Sequence, residues 1–97
     1  MTSPVYRRAV ELMEADIGSE LVALDPDQGN CFGFNEAATS VWRSLHEPRN
    51  FDQLRDALLA DYEVDADQCS RDLKELLEDL IRKGLVERAP ERRNNFT

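Results

Sequence analysis

Along the first third of the chain, apolar positions come in short runs broken by turn residues. Val10, Leu12 and Met13 precede Asp16-Ile17-Gly18-Ser19, and Leu21-Val22-Ala23-Leu24 follows, a pattern that predicts a hairpin. Asp25-Pro26-Asp27-Gln28-Gly29 supplies a second turn, in which Pro26 pre-sets φ and Gly29 is free to take a positive φ. The run Cys31-Phe32-Gly33-Phe34 completes three short antiparallel strands. In the third, side chains alternate, so Phe32 and Phe34 share one face while Cys31 and Gly33 share the other.

At Asn35 the apolar period lengthens to that of a helix, with Ala38, Val41, Trp42 and Leu45 on one stripe. Asn35 is a suitable N-cap, Glu36 suits the positive end of the helix dipole, and the helix must end before Pro48. Asn50-Phe51-Asp52-Gln53 reads as a capping-box variant opening a second helix, along which Leu54, Leu58 and Tyr62 recur. Asp65-Ala66-Asp67-Gln68 repeats the cap, and Cys69, Leu73, Leu76, Leu77, Leu80 and Ile81 give a third and longest helix that stops at Gly84. On a wheel, Leu73, Leu77, Leu80 and Gly84 form one seam, while Cys69 and Leu76 extend it to the side, where Leu80 can also belong. The first seam reads as core, and Cys69 and Leu76 as open to a groove. The fold class is therefore α+β and winged-helix-like, a three-stranded antiparallel sheet followed by three helices. After Leu85-Val86 little remains to bury, so the domain is expected to span 1–87 and a flexible tail 88–97.

Length changes this picture only by limiting it: 97 residues with 41% hydrophobic content allow one core. Charge changes it more. A formal net charge of −8 opposes binding to nucleic acid phosphates or an anionic membrane. No apolar run approaches the ~20 residues that span a bilayer, and no basic-then-apolar segment opens the chain, so the cytoplasm is the expected location. Cys31 and Cys69 match no disulfide framework and no CxxC site, and are expected to be reduced thiols.

Catalysis would need a nucleophile, a base and an oxyanion donor that converge, yet the one histidine, His46, sits near a helix end beside Pro48. The acids of the third helix alternate with Arg71, Lys74, Arg82 and Lys83, which is a solvated face and not a metal site. The glycines stand singly, without a phosphate loop. No catalytic residue, metal or cofactor is expected. A winged-helix DNA reader is an alternative, but the segment from Asp65 to Lys83 carries a net charge of −2 where a recognition helix should present cations.

A three-stranded sheet has two edges, and an edge strand offers unpaired N–H and C=O groups to an extended chain. If 30–34 forms such an edge beside the third helix, a peptide can add to it as another strand with its apolar side chains in the groove. Gly33 suits close approach by a foreign backbone; it equally suits a bulge or a tight contact within the core. The same edge could instead pair with its own copy, giving a homodimer.

Leu21-Val22-Ala23-Leu24-Asp25, then Gly29-Asn30-Cys31-Phe32-Gly33-Phe34-Asn35-Glu36-Ala37-Ala38 with Val41-Trp42, resembles the PqqD-like peptide chaperones, or RiPP recognition elements. The likeness continues through Phe51-Asp52-Gln53-Leu54 and Asp61-Tyr62-Glu63-Val64-Asp65. It closes with Leu73-Lys74-Glu75-Leu76-Leu77, Leu80 and Gly84-Leu85, covering about residues 5 to 87. The Phe-Gly-Phe strand looks closer to stand-alone members of lasso-type or kinase-related peptide clusters than to PQQ-pathway members.

The resemblance implies that the chain binds the leader of a ribosomally made precursor and delivers it to a maturation enzyme, such as a protease, cyclase, radical maturase or kinase-like partner. It implies three strands before three helices, with the leader on the third strand and against the third helix. By position, the contacts would be Asn30, Cys31, Phe32, Gly33 and Phe34 on the strand, and Cys69, Asp72, Leu73, Leu76 and Leu80 on the helix. The chain itself would be a monomer or weak dimer.

Overall fold

The structure is a computed structural model in which residues 4–90 are described. The order is β1 (Pro4–Arg8), β2 (Met13–Ile17), β3 (Glu20–Asp25), β4 (Asn30–Phe34), α1 (Glu36–Ser44), β5 (Arg49–Asn50), α2 (Phe51–Asp61), α3 (Ala66–Arg82) and β6 (Val86–Pro90). β2, β3 and β4 form an antiparallel meander, with β3 in the middle. The three helices follow it, as the sequence pattern implies.

The turns and caps have local causes. Gly18 takes φ 64° between β2 and β3, and Gly29 takes φ 76° before β4. The Asp25 carboxylate accepts from the Asp27 and Gln28 N–H groups, closing the β3–β4 turn. The side chain of Asn35 accepts from the Ala38 N–H at 2.9 Å, and that of Asp65 from the Gln68 N–H at 2.7 Å. Asn50 and Gln53 form a reciprocal capping box at the start of α2. At the other end of α3, Gly84 has φ 79° and the Leu85 N–H donates back to the Leu80 carbonyl, ending the helix.

Three expectations need correction. The first turn is tighter than the sequence suggests: Asp16 and Ile17 belong to β2, because the Asp16 carboxylate is held against α1 by Arg43. Val10 and Leu12 are not in a strand, but link β1 to β2 and pack half-buried against the core. The domain does not end at residue 87 either. β6 runs to Pro90 and pairs with β1, which pairs with β5 on its other side, giving a second sheet of order β5-β1-β6. Arg7 and Glu87 are paired in this ladder at 2.6 Å, so residues that look like a polar tail are matched by a strand at the far end of the chain. The rest of the expected tail, 91–97, lies outside the described residues.

The core lies between the meander and the helices. Trp42 is fully buried at its centre, edge-on to Phe34 with ring centroids 5.6 Å apart. Leu21 of β3, Leu54 of α2, Leu73 and Leu77 of α3, and Val86 of β6 complete it. This burial points the inner face of β4 and the inner stripe of α3 at one another's neighbours, and leaves the far side of β4 open.

Candidate functional site

β4 is an end strand of the meander: β3 pairs with one side of it, and no described residue pairs with the other. Its ladder with β3 runs unbroken from Asn30 opposite Asp25 to Phe34 opposite Leu21. An unpaired row of backbone donors and acceptors therefore faces outward along the strand.

Where β4 gives way to α1, a shallow groove of about 400 Å³ opens between Asn35 and Ala37 on one side and Asp72, Glu75, Leu76 and Asp79 of α3 on the other. The four α3 positions recur at helical spacing and so share one face. Leu76 is half-buried and packs against the core, as does Phe32 of β4, so each offers part of an apolar side chain to a visitor.

The electrostatics of the groove are acidic. Lys83 donates to the Asp79 carboxylate at 2.9 Å and, against some desolvation, holds that carboxyl below the usual carboxylate range with help from Arg82 at 3.0 Å. Gln68 donates its side-chain amide to Asp72 at 2.9 Å, and Asp72 has no ion-pair partner among the described residues. Glu75 has no ion-pair partner among the described residues. A larger cleft of about 580 Å³ runs from Arg7 to Leu12 and along His46 to Pro48, but it shares no residue with β4 or α3.

Of the ten residues singled out from the sequence, two line this groove and four others on β4 are at least partly open to solvent. Asn30, Cys31 and Gly33 are exposed, Phe32 is half-buried, and Asp72 and Leu76 line the α3 side. The other four are turned inward: Phe34 is 5% exposed, Cys69 4%, Leu73 0% and Leu80 2%. Cys69 fails to reach the groove because α2 occupies its side of α3, where the thiol lies 3.9 Å from the Arg55 carbonyl. Burial, then nearby Asp72, push its pKa up, keeping it a neutral core side chain.

Gly33 marks neither a bulge nor a core contact. The β3–β4 register is continuous through it, and a Cβ built there would meet nothing within 4 Å. Sequence reasoning missed Asn35, Ala37, Glu75 and Asp79 as groove residues. Their signal was the spacing of Glu75 and Asp79 from Asp72, which places all three on one turn-to-turn face of the helix.

Comparison with known proteins gives this geometry a context. Residues 20–86 match the family described as Coenzyme PQQ synthesis protein D (PqqD). Among solved structures, the chain is similar to TbiB1 in complex with the TbiA(beta) leader peptide. The TM-score is 0.73 and the identity 31%, over 84% of this chain and 94% of that one. It also shares the fold of lasso peptide synthetase B1 complexed with its leader peptide, at a TM-score of 0.67 and 24% identity, over 84% and 96% of the two chains. No curated protein is a match for the chain.

Proposed function

The chain belongs to the PqqD family, and on that premise we propose that it captures the leader segment of a ribosomally made precursor peptide by strand addition and presents it to a maturation enzyme. The observation that carries this reading is the unpaired side of β4 running into the groove between Asn35-Ala37 and α3. The TbiB1 structure, with its leader peptide bound, supports it at 31% identity.

The mechanism follows from the geometry. Backbone hydrogen bonds along β4 set the register of the added strand, and alternate leader side chains turn inward toward Phe32 and Leu76. A basic leader residue next to the apolar one would meet Asp72 and Glu75, which no cation among the described residues pairs. Tethering the leader raises the local concentration of the attached core peptide at the enzyme. The chain itself contributes no bond making or breaking, and works in the cytoplasm, where the precursor is made. The Phe32-Gly33-Phe34 strand, through the resemblance it carries, favours a lasso-type system over the PQQ pathway.

A winged-helix regulator is disfavoured by the acids that α3 presents to the groove. Titration of a labelled leader, from a short precursor sought among the genes that neighbour this chain's own, tests the proposal. Saturable binding of the leader, and none of duplex DNA, is the expected result. DNA binding without leader binding would replace it with the regulator reading.

A further inference from the structure

The alternation in β2 runs opposite to what a strand lying on a core should show. Glu14 and Asp16 point toward α1, while Met13, Ala15 and Ile17 point to solvent, with Met13 61% and Ile17 62% exposed. A slip of one residue would bury all three apolar side chains. The strand is held out of that register by polar contacts on its inner side: the Trp42 indole and Arg8 engage Glu14, and Arg43 engages Asp16.

The register continues across the sheet. On the outer face Met13, Leu24 and Cys31 form one row, Ala15, Val22 and Gly33 the next, and Ile17 lies opposite Glu20. Leu24 is 38% exposed, so three of the four large exposed hydrophobic residues among those described stand on this one face. Patches of this kind mark contact surfaces.

Charge narrows the occupant. Residues 9–42 contain no lysine or arginine, and exposed Glu20 and Asp27 flank the two ends of the patch. In a two-fold dimer built on this face the acidic ends would be set against an acidic copy, in a chain already at −8. The patch instead suits an apolar surface edged by lysines or arginines. Position narrows it further. A leader added at β4 would turn every second side chain outward beside Cys31 and Gly33, lengthening both rows by one column.

Resting on the leader-binding reading, we propose that the outer face of the β2-β3-β4 sheet, extended by the outward side chains of the bound leader, is the docking surface for the maturation enzyme. The enzyme contributes an apolar patch with a basic rim. It thereby reads chain and leader together, and its affinity for the chain rises when the leader is in place. By linkage the leader binds more tightly, by the same factor, when the enzyme is present.

The test uses the full chain, a leader that it binds in the titration above, and the purified enzyme that matures the precursor carrying that leader. Met13→Lys and Ile17→Lys are exposed changes on β2, with β3 between them and β4. The proposal expects leader affinity within about twofold of wild type and enzyme affinity for the loaded chain lowered at least about tenfold, a difference well above the effect of isolated surface changes. Glu20→Lys should slow enzyme association most at low salt. Unchanged enzyme affinity with leader binding retained overturns the proposal. A wild-type dimer that these lysines dissociate also overturns it, giving the face to a second copy. Failure of wild-type chain to bind leader sinks the parent reading instead, and is read out before the enzyme is added.

Discussion

Trp42 donates its indole N–H to the Glu14 carboxylate at 2.8 Å, joining a fully buried ring in α1 to the edge strand of the meander. Arg8, at the end of β1, lies over the same ring at 4.3 Å and within 3.5 Å of Glu14. Burial pushes the Arg8 pKa down and Glu14 opposes the shift, so the pair holds its charges in a partly closed setting. One residue from each sheet therefore meets on one helix.

Glu14→Ala should leave that indole N–H without its acceptor, at a cost of about 1–3 kcal/mol. Glu14→Gln keeps an acceptor and should lose less. Urea unfolding followed by tryptophan fluorescence measures both, and equal stability of the three proteins would refute the role given to this bond.

Leu73 and Leu76 stand three positions apart on α3 with opposite outcomes. Leu73→Ala empties a site with no exposure, and should cost about 2–5 kcal/mol. Leu76→Asp, at the groove, should keep the helical circular dichroism spectrum while weakening leader binding by roughly tenfold or more, the scale of ~1.4 kcal/mol. Full leader affinity in Leu76→Asp would remove α3 from the site.

The thiols should also differ. Cys31 is exposed on β4, and iodoacetamide should modify it in the native protein, more slowly once leader is bound. Cys69 is buried, and its raised pKa favours the neutral thiol in the fold. That contribution is present below the unfolded thiol pKa and is lost as pH rises through the folded one. Mass spectrometry should find Cys69 unmodified until the chain unfolds; early modification there would contradict its placement.

Asp79 supplies a pH dependence of the other sign. Its carboxyl is held low mainly by the Lys83 hydrogen bond, so the stabilisation is present above the unfolded carboxylate pKa and is lost as pH falls through the folded one. In an NMR titration, Lys83→Gln should move the Asp79 midpoint upward. A midpoint that stays put would show that the contact is absent in solution.

The parts of this fold legible in the sequence are those with local causes. Asn35, Asn50 and Asp65 cap their helices through bonds to residues three positions on, and Gly29 turns the chain where Asp25 can catch the following amides. The second sheet is not local. β1 meets β6 across nearly the whole chain, and β5 has only two residues, too few to show alternation. In β2 the pattern misleads outright, because polar contacts to Trp42 and Arg43 override hydrophobic alternation.

The site divides in the same way. The third strand followed from counting strands, and the wheel separated Leu76 from Leu73 but left Leu80 on either seam, where the fold buries it. It did not separate Cys69 from Leu76, since only the packing of α2 on α3 distinguishes them.

Amide hydrogen exchange on the labelled chain, with and without saturating leader, tests strand addition at β4 most directly. The account predicts new protection at amides of Asn30 to Phe34, with chemical-shift changes around Leu76 and little change along β2 or β6. Protection that appears on β2 or β6 while β4 exchanges as before would contradict it.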